Sequence, residues 1–493
     1  RELGVRKGDR VAVMMANSPS TIAAILGIAR AGAIWVPVNV NLVGDGLQYV
    51  LEHSEPAVLL VDRNLEPVVA GCGVPPGSFA TVVSGSLGAP DDLEKIIAAG
   101  AEFRTVVMEP GEPVAIMYTS GTTGRPKGVL VSHRMLRLSA EGAAILSELR
   151  DGDVLFVWEP LFHIGGAQVL LLPFLHRVSL ALVDRFSASR FWAQCTAAGA
   201  THIHHLGGIL QLLLKQPEGP QDRSHPVRIA WGGACRADIW RTFEERFGIK
   251  INECYGMTEA SSFTTANTER VVGSTGRPLP WFKVEILDPE GQPVPVGERG
   301  EIVLTGLEPD CVFRGYFRNP EATAAALRNG RFHTSDVGSF DAEGRMAFHG
   351  RLVDSLRVRG ETVDEITGAA RTLRAKMMPV TVAPGAIDIV GTGGDGHGTF
   401  NVSTGAAIVA AGAGLKVAKH GNRSVSSLSG ASDVLSALGV KLDCGPDAIV
   451  HAVDDAGVGF LWAPAHHPAM KAWAAARADL GVRTLFNLLG PIC

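Results

Sequence analysis

Short apolar runs alternate with segments of helical periodicity over the first 110 residues. Arg10-Val-Ala-Val-Met-Met15 reads as a strand, and Ser20 to Ala31 as an amphipathic helix with Ser18-Pro19 as its start signal. Ile34-Trp-Val-Pro-Val38 and Ala57-Val-Leu-Leu-Val61 read as further strands. This rhythm predicts a mostly parallel sheet covered by helices, and it continues through Asp153–Val157 and Val227–Trp231. Near Gly273 the texture changes. Val284–Leu287, the turn signal Asp288-Pro-Glu-Gly291 and Gly300–Leu304 predict a small β subdomain. From Ala383 the chain is rich in Gly, Ala and Ser. Asp388-Ile-Val390 reads as a short strand, Ala406 to Ala413 as a helix capped by Ser403-Thr404, and Leu415–Ala418 as a strand that ends before Lys419. Thr362-Val-Asp-Glu365 fits a capping box opening a helix over Asp364 to Met378, with Ile366, Ala369, Ala370, Leu373 and Met377 on one stripe. No flexible linker separates the two textures. The class is α/β throughout.

Composition narrows the functions available. The chain has 493 residues, enough for about three domains, and 46% of them are apolar, ample for packed cores. A net charge of −5 gives no electrostatic footprint for nucleic acid. The seven cysteines form no CxxC pair, which reads as a reduced, cytoplasmic protein without a disulfide framework or zinc ribbon. The most apolar stretches are interrupted by Arg30, and by Gln168, Pro173, His176 and Arg177, so neither makes a convincing membrane span. No signal peptide opens the chain, and because residue 1 is Arg, the N-terminus reads as a cut. Nothing in the sequence opposes an oligomer.

Two separate Gly-rich segments have the chemistry to hold phosphate. The first is Tyr118-Thr-Ser-Gly-Thr-Thr-Gly-Arg-Pro-Lys127-Gly128, directly after the apolar run Val114–Met117. Gly121 and Gly124 let backbone turn closely about an anion, Thr119, Ser120, Thr122 and Thr123 add hydroxyl donors, and Lys127 adds charge. Gly128 after the lysine rules out a Walker A loop. The string resembles the phosphate loop of the adenylate-forming acyl-CoA synthetase superfamily, and further matches follow in family order across residues 1–360. Pro160-Leu-Phe-His163-Ile-Gly-Gly166 is similar to the segment bordering the acyl pocket, gated at His163. Gly232-Gly233-Ala234 is similar to the adenine-contacting turn. Tyr255-Gly-Met-Thr258-Glu259 is similar to the segment that stacks adenine, contacts the α-phosphate and holds Mg²⁺. His333-Thr-Ser-Asp336 stands where Thr-Gly-Asp is usual, its aspartate on the ribose hydroxyls. Arg351 resembles the ribose arginine and Asp354 the hinge. The resemblance implies carboxylate activation by ATP with Mg²⁺, then acyl transfer to coenzyme A, with Lys127, Thr258 and Glu259 as catalytic groups. It implies a core over 1–272 and a β-rich subdomain over 273–355. It also implies a C-terminal lid bearing an essential lysine, which this sequence lacks. Losing one preorganised charge-stabilising donor costs roughly 2.7–4 kcal/mol of barrier, about 10²–10³ in rate, so nucleotide binding is expected to survive better than turnover.

The second segment is Gly391-Thr392-Gly393-Gly394-Asp395, followed by Asn401-Val-Ser403-Thr404 at a helix start and by Lys419-His-Gly-Asn422-Arg423. These words, with His466-His467-Pro468 and the stretch from Leu480 to Pro491, resemble anthranilate phosphoribosyltransferase, a nucleoside-phosphorylase-like α/β enzyme of tryptophan biosynthesis. The resemblance implies a partial domain over 356–493 that binds phosphoribosyl pyrophosphate (PRPP). Gly391 to Asp395 would cradle pyrophosphate, Asn401, Ser403, Thr404 and Lys419 would hold PRPP, Ser403 would lie near Mg²⁺, and Asn422, His467 and Arg477 would contact anthranilate, the last two as catalytic groups. Of the family's helical bundle the sequence carries the last helix. The family's acidic pair for a second Mg²⁺ is not met before Cys493, so weak or absent transferase activity is expected.

Leu356-Arg-Val-Arg-Gly-Glu-Thr-Val363 resembles both families at once, as synthetase hinge and as the segment before the transferase helix. It marks the join of the two sequences. Three readings remain open: both activities in impaired form, the transferase alone, or a nucleotide-binding chimera without turnover. A join by recombination requires one uninterrupted DNA molecule across codons 340–380. Single-molecule reads that never span both halves would make them separate proteins.

Overall fold

The computed structural model describes residues 3–85, 93–99, 105–119, 125–351, 371, 374, 378, 380–382, 384–389, 402–421 and 431–466. These residues fall in two compact units, one drawn from Arg1–Ser120 and Pro126–Leu352 and one from Gly121–Arg125 and Val353–Cys493.

In the first unit, strands β1 (Arg10–Met14), β2 (Ile34–Pro37), β3 (Val58–Asp62), β4 (Ala80–Ser84), β5 (Pro113–Thr119) and β6 (Lys127–Ser132) form a sheet of order β4-β3-β1-β2-β5-β6. Every pairing is parallel except β5 with β6. The helix Pro19–Arg30 starts as its sequence demands. Ser18 stays extended, its Oγ accepts the Thr21 amide at 3.1 Å, and Pro19 fills the first position, where no N–H is needed.

A second sheet joins β7 (Val154–Val157), β8 (Ser179–Leu182), β9 (His202–Leu206), β10 (Ile229–Gly233), β11 (Lys250–Tyr255), β12 (Thr265–Asn267) and β13 (Arg277–Pro278) in the order β13-β12-β11-β10-β9-β7-β8. The helix Ala237–Phe247 buries Trp240, Phe243 and Phe247, spaced to share one stripe, against Ile203, Ala230 and Ile251 of this sheet. The helix His133–Leu146 buries positions on more than one face and contributes to the cluster that unites Val131, Trp231, Phe263 and Leu304. Its Gly142 leaves room for Phe263, whose ring would lie 3.0 Å from an added Cβ.

Downstream the pattern of burial changes with the type of sheet. Strands of the parallel sheets are covered on both faces, as in Val11–Met14, whereas Phe282–Leu287 alternates at its start. The strands β14 (Phe282–Leu287), β15 (Gly300–Gly306), β16 (Leu327–Arg328), β17 (Arg331–Phe340) and β18 (Met346–Arg351) form an antiparallel sheet. Here β17 pairs with β18 and sets Asp336 opposite Arg351.

In the second unit, β19 (Val417–Gly421) and β20 (Val458–Trp462) pair in parallel, with the helices Val402–Gly412 and Pro446–Ala456 beside them. Three local expectations are corrected here. Ser403 and Thr404 lie inside the first turn of the helix rather than capping it; first-turn amides lack intrahelical acceptors, so hydroxyls are well accommodated there. Lys419 sits within β19 instead of after it, because the ladder to β20 runs on through Gly421. Asp388-Ile389 is not a strand among the described residues; Ile387 makes a single bridge to Val417. Of the helix expected over Asp364 to Met378, Arg371 and Arg374 are helical, whereas Met378 is not; the other positions lie outside the described residues. No described helix is long and apolar enough to cross a membrane.

Gly232, the last residue but one of β10, has φ +153°, and a Cβ built on it would lie 1.8 Å from the His205 carbonyl oxygen. That neighbour is backbone and cannot swing away. Gly232→Ala is therefore expected to lower the thermal midpoint of the first unit by several degrees, roughly 1–3 kcal/mol, measured by near-ultraviolet circular dichroism on heating.

Candidate functional site

Two tyrosine–carboxylate pairs form the centre of the site. Tyr255 ends β11, and its hydroxyl donates to Asp336 Oδ2 at 2.8 Å. Tyr316 donates from its hydroxyl to Glu259 Oε1 at 3.0 Å. Asp336 is buried and Glu259 half-buried, and this lifts each above the usual carboxylate range; the tyrosine hydroxyls and the positive charge of Arg351 pull both back. Lys127 adds to that pull on Glu259. Arg351 Nε stands 3.6 Å from Asp336 Oδ1 across the β17–β18 ladder, and Lys127 Nζ lies 5.2 Å from the centroid of the Tyr316 ring.

Backbone bonds fix these groups. Glu259 belongs to a single 3₁₀ turn, Thr258–Ala260, whose Thr258 is buried; its carbonyl accepts the Phe313 amide at 2.9 Å. Tyr316 bridges to Val129 of β6, and the Phe317 amide donates to the Gly128 carbonyl at 2.7 Å. The region that carries Tyr316 is thus bonded both to the Glu259 turn and to the strand that starts at Lys127. Lys127, Tyr255, Glu259, Asp336 and Arg351 are brought together.

The turn after β10 is held from below. Gly233 is followed by Ala234 at φ +67°, and the Cys235 amide donates to Glu253 Oε2 at 2.8 Å. Burial pushes the Glu253 carboxyl up to about 8, against the pull of the backbone amides of Cys235, Ala234 and Cys254. Among the other expected positions, Thr119 ends β5 opposite Lys127, and His163 is exposed before the short helix Ile164–Ala167. Ser120, Gly121, Thr122, Thr123, Gly124 and Asp354 lie outside the described residues.

In the second unit, Lys419 Nζ donates to the Ile389 carbonyl at 2.7 Å and to Ser403 Oγ at 3.2 Å. The amine is buried, which lowers it from the usual lysine value, while Asp388 opposes the shift. Asp388 in turn accepts the His420 amide at 3.0 Å. Thr404 is buried one position after Ser403. Gly391, Thr392, Gly393, Gly394, Asp395, Asn401, Asn422, His467 and Arg477 lie outside the described residues.

Tyr316 and Glu253 were missed in the sequence. Each left a signal: the chain has only four tyrosines, and Glu253 is a charge inside the strand run Ile251–Tyr255. No group of three or more metal-binding side chains occurs among the described residues. A lone carboxylate such as Glu259 still suits Mg²⁺, which takes one or two carboxylates together with substrate phosphates.

Comparison with known proteins agrees with this division. The AMP-binding enzyme family matches residues 1–317, and the glycosyl transferase family a/b domain matches residues 383–493. The chain is 32% identical over 375 residues to a crotonobetaine/carnitine–CoA ligase of Salmonella paratyphi B, covering 73% of this chain and 72% of that protein. It is 63% identical over 143 residues to the anthranilate phosphoribosyltransferase of Rhodopseudomonas palustris, covering 29% of this chain; the chain spans 42% of that protein's length. Among solved structures, ATP-bound MatB of Rhodopseudomonas palustris is similar with TM-score 0.64 and 28% identity, over 71% of this chain and 70% of that one. The N-terminal domain of FACL13 from Mycobacterium tuberculosis is similar with TM-score 0.63 and 26% identity, over 71% of this chain and 88% of that one.

Glu253 gives a pH test. Its folded value of about 8 lies above its ordinary 4.5, so the folded state holds the proton more tightly. Protonated in both states at low pH, the group becomes a burden on the fold as pH rises from about 4.5 to about 8. Glu253→Gln is expected to be neutral or slightly destabilising at pH 4.5 and more stable than the parent at pH 8.5, by an amount on the order of a few kcal/mol. Urea unfolding at the two pH values measures it.

Proposed function

This chain belongs to the AMP-binding enzyme family, and from that premise we propose that residues 1–351 bind ATP with Mg²⁺ and activate a small-molecule carboxylate as its acyl adenylate. The convergence of Lys127, Glu259, Tyr255, Asp336 and Arg351 carries the reading. Asp336 accepts the ribose hydroxyls of the nucleotide, oriented by the Tyr255 hydroxyl and by Arg351. The turn Gly232–Ala234 receives the adenine edge. Glu259 would hold Mg²⁺, whose charge would offset that of the nucleotide phosphates. Thr258 and the hydroxyls of Thr119, Ser120, Thr122 and Thr123 contact phosphate oxygens, with Gly121 and Gly124 allowing the close approach. The substrate carboxylate attacks the α-phosphorus, pyrophosphate leaves, and Lys127 stabilises the charge that develops on the phosphate oxygens. His163 borders the acyl pocket. In the full family the adenylate is then passed to coenzyme A.

The domain limits are proposed as 1–272 for the core, 273–355 for the β-rich subdomain and 356–493 for the transferase-like part, with Asp354 at the hinge position. The sequence after Arg351 runs into the transferase-like part, leaving no lid lysine for the adenylate-forming step. Nucleotide binding therefore outlasts turnover. Residues 383–493 are proposed to bind PRPP, with Lys419 on its phosphates, Ser403 near Mg²⁺, Gly391 to Asp395, Asn401 and Thr404 completing the cradle, and Asn422, His467 and Arg477 facing anthranilate. The already established Lys419–Ser403 contact supports this part.

ATP–pyrophosphate exchange with a panel of carboxylic acids tests the first proposal. Slow, carboxylate-dependent exchange is expected, and Lys127→Ala should lower it by about 10²–10³ while AMP still binds. AMP binding without exchange for any acid would favour the nucleotide-binding reading instead. For the second part, equilibrium dialysis with PRPP and Mg²⁺ should show binding that Lys419→Ala weakens by at least about tenfold; equal binding by the variant would remove Lys419 from the site.

A further inference from the structure

The end of the β5–β6 hairpin carries Thr119 and Lys127 opposite one another, yet little of the sheet's own ladder reaches it. β6 is the last strand of its sheet, and β5 is registered to β2 through one pair, Trp35 with Ala115. Register fixes the spacing of the two arms. It does not fix how far the hairpin end tilts from the sheet. Side chains on a neighbouring helix do that.

That helix, Gly44–Ser54, is anchored to the sheet. It buries Leu47, Val50 and Leu51 in the cluster that contains Ile116 of β5 and Ala12, Val36 and Leu59 of the inner strands. Tyr49 and His53 stand one turn apart on it, and their rings stack at 5.2 Å. Each reaches a different arm of the hairpin. Tyr49 donates from its hydroxyl to the Pro126 carbonyl at 3.2 Å, one residue before Lys127. His53 Nδ1 is hydrogen-bonded to the Tyr118 hydroxyl at 2.7 Å, one residue before Thr119. Gly128, opposite Tyr118 in the ladder, makes the second contact possible. A Cβ there would lie 2.7 Å from Ile116 Cγ2 and 3.4 Å from Tyr118 Cζ, so its bare backbone leaves room for the Tyr118 ring.

The pair is braced from a third direction. The Phe317 ring stands perpendicular to His53 at 5.6 Å, and the Arg318 guanidinium lies 5.2 Å over the Phe317 ring. Both terminal nitrogens of Arg318 donate to the carboxylate of Glu55, the residue after the helix, at 2.5 Å. Burial and Arg318 lower His53 from its ordinary value, with Glu55 opposing. The ring is therefore a neutral hydrogen-bond partner and not a charge offered to phosphate.

We propose that Tyr49 and His53 are positioning residues for ATP, holding both arms of the hairpin from one helix turn and so setting where Thr119 and Lys127 meet the phosphates. This deepens the adenylating reading above and rests on it. The two side chains act through Pro126 and Tyr118 and not on phosphate directly. AMP keeps the adenine and ribose contacts at Gly232–Ala234, Tyr255, Asp336 and Arg351, but it lacks the two outer phosphates of ATP. A tilt of the hairpin end therefore weakens ATP more than AMP.

Calorimetry on the full chain tests this with two ligands, ATP with Mg²⁺ and AMP, without any carboxylic acid, so it needs no turnover. Tyr49→Phe and His53→Ala are each expected to weaken ATP by about threefold or more, and the double variant by at least about tenfold, while AMP affinity stays within about twofold of the parent. His53→Asn, which keeps a polar atom near the place of Nδ1, is expected to recover most of the ATP affinity lost in His53→Ala. Unchanged ATP affinity in the double variant, a parallel loss of AMP, no recovery in His53→Asn, or a parent that binds AMP but not ATP would each overturn the proposal. If the double variant does not fold, Tyr49→Phe decides alone, since it removes one oxygen atom. Failure of the parent to bind AMP would instead remove the adenylating reading, and this inference with it.

Discussion

Two acidic side chains, one buried and one half-buried, each held by one tyrosine hydroxyl and both within the field of one guanidinium, set the constraint on which the first unit's site depends. Glu259 leans on Tyr316, Asp336 leans on Tyr255, and Arg351 acts on both. A carboxylate in such a setting is poised rather than satisfied. Its charge is affordable only while those donors stay in place, and it gains from any further cation or hydroxyl that arrives. That is the condition of a binding group, and it differs from a surface ion pair such as Arg137 with Glu141, which water screens.

The geometry survives because its parts come from rigid elements of different sheets. Asp336 and Arg351 face each other across one antiparallel ladder, so their spacing is set by backbone register rather than by side-chain choice. Tyr255 is the last residue of a buried parallel strand, and Tyr316 is tied by backbone bonds to the strand that begins at Lys127. Moving one tyrosine would disturb a sheet.

Much of this was legible in the chain, and the reasons differ by element. Strands such as Arg10–Met14 and the helix after Ser18 were readable because burial on both faces and a serine cap leave strong local marks. Lys127, Tyr255, Glu259, Asp336 and Arg351 were readable because they sit in short dense words. Tyr316 was not, since its role exists only through a contact 57 positions away in the chain. Glu253 left a polar interruption in a strand, yet nothing local says that it supports the turn at Ala234. In the second unit the words were read correctly while local geometry was misjudged. The strand bearing Lys419 continues because its partner β20, some forty positions later, continues with it.

Thr119 and Lys127 stand directly opposite one another in the β5–β6 ladder. The spacing of these two residues is therefore set by the register of the two strands, whatever sequence lies between them. That makes the intervening segment a cassette. A laboratory graft from a relative can replace it without asking the six-stranded sheet to re-register.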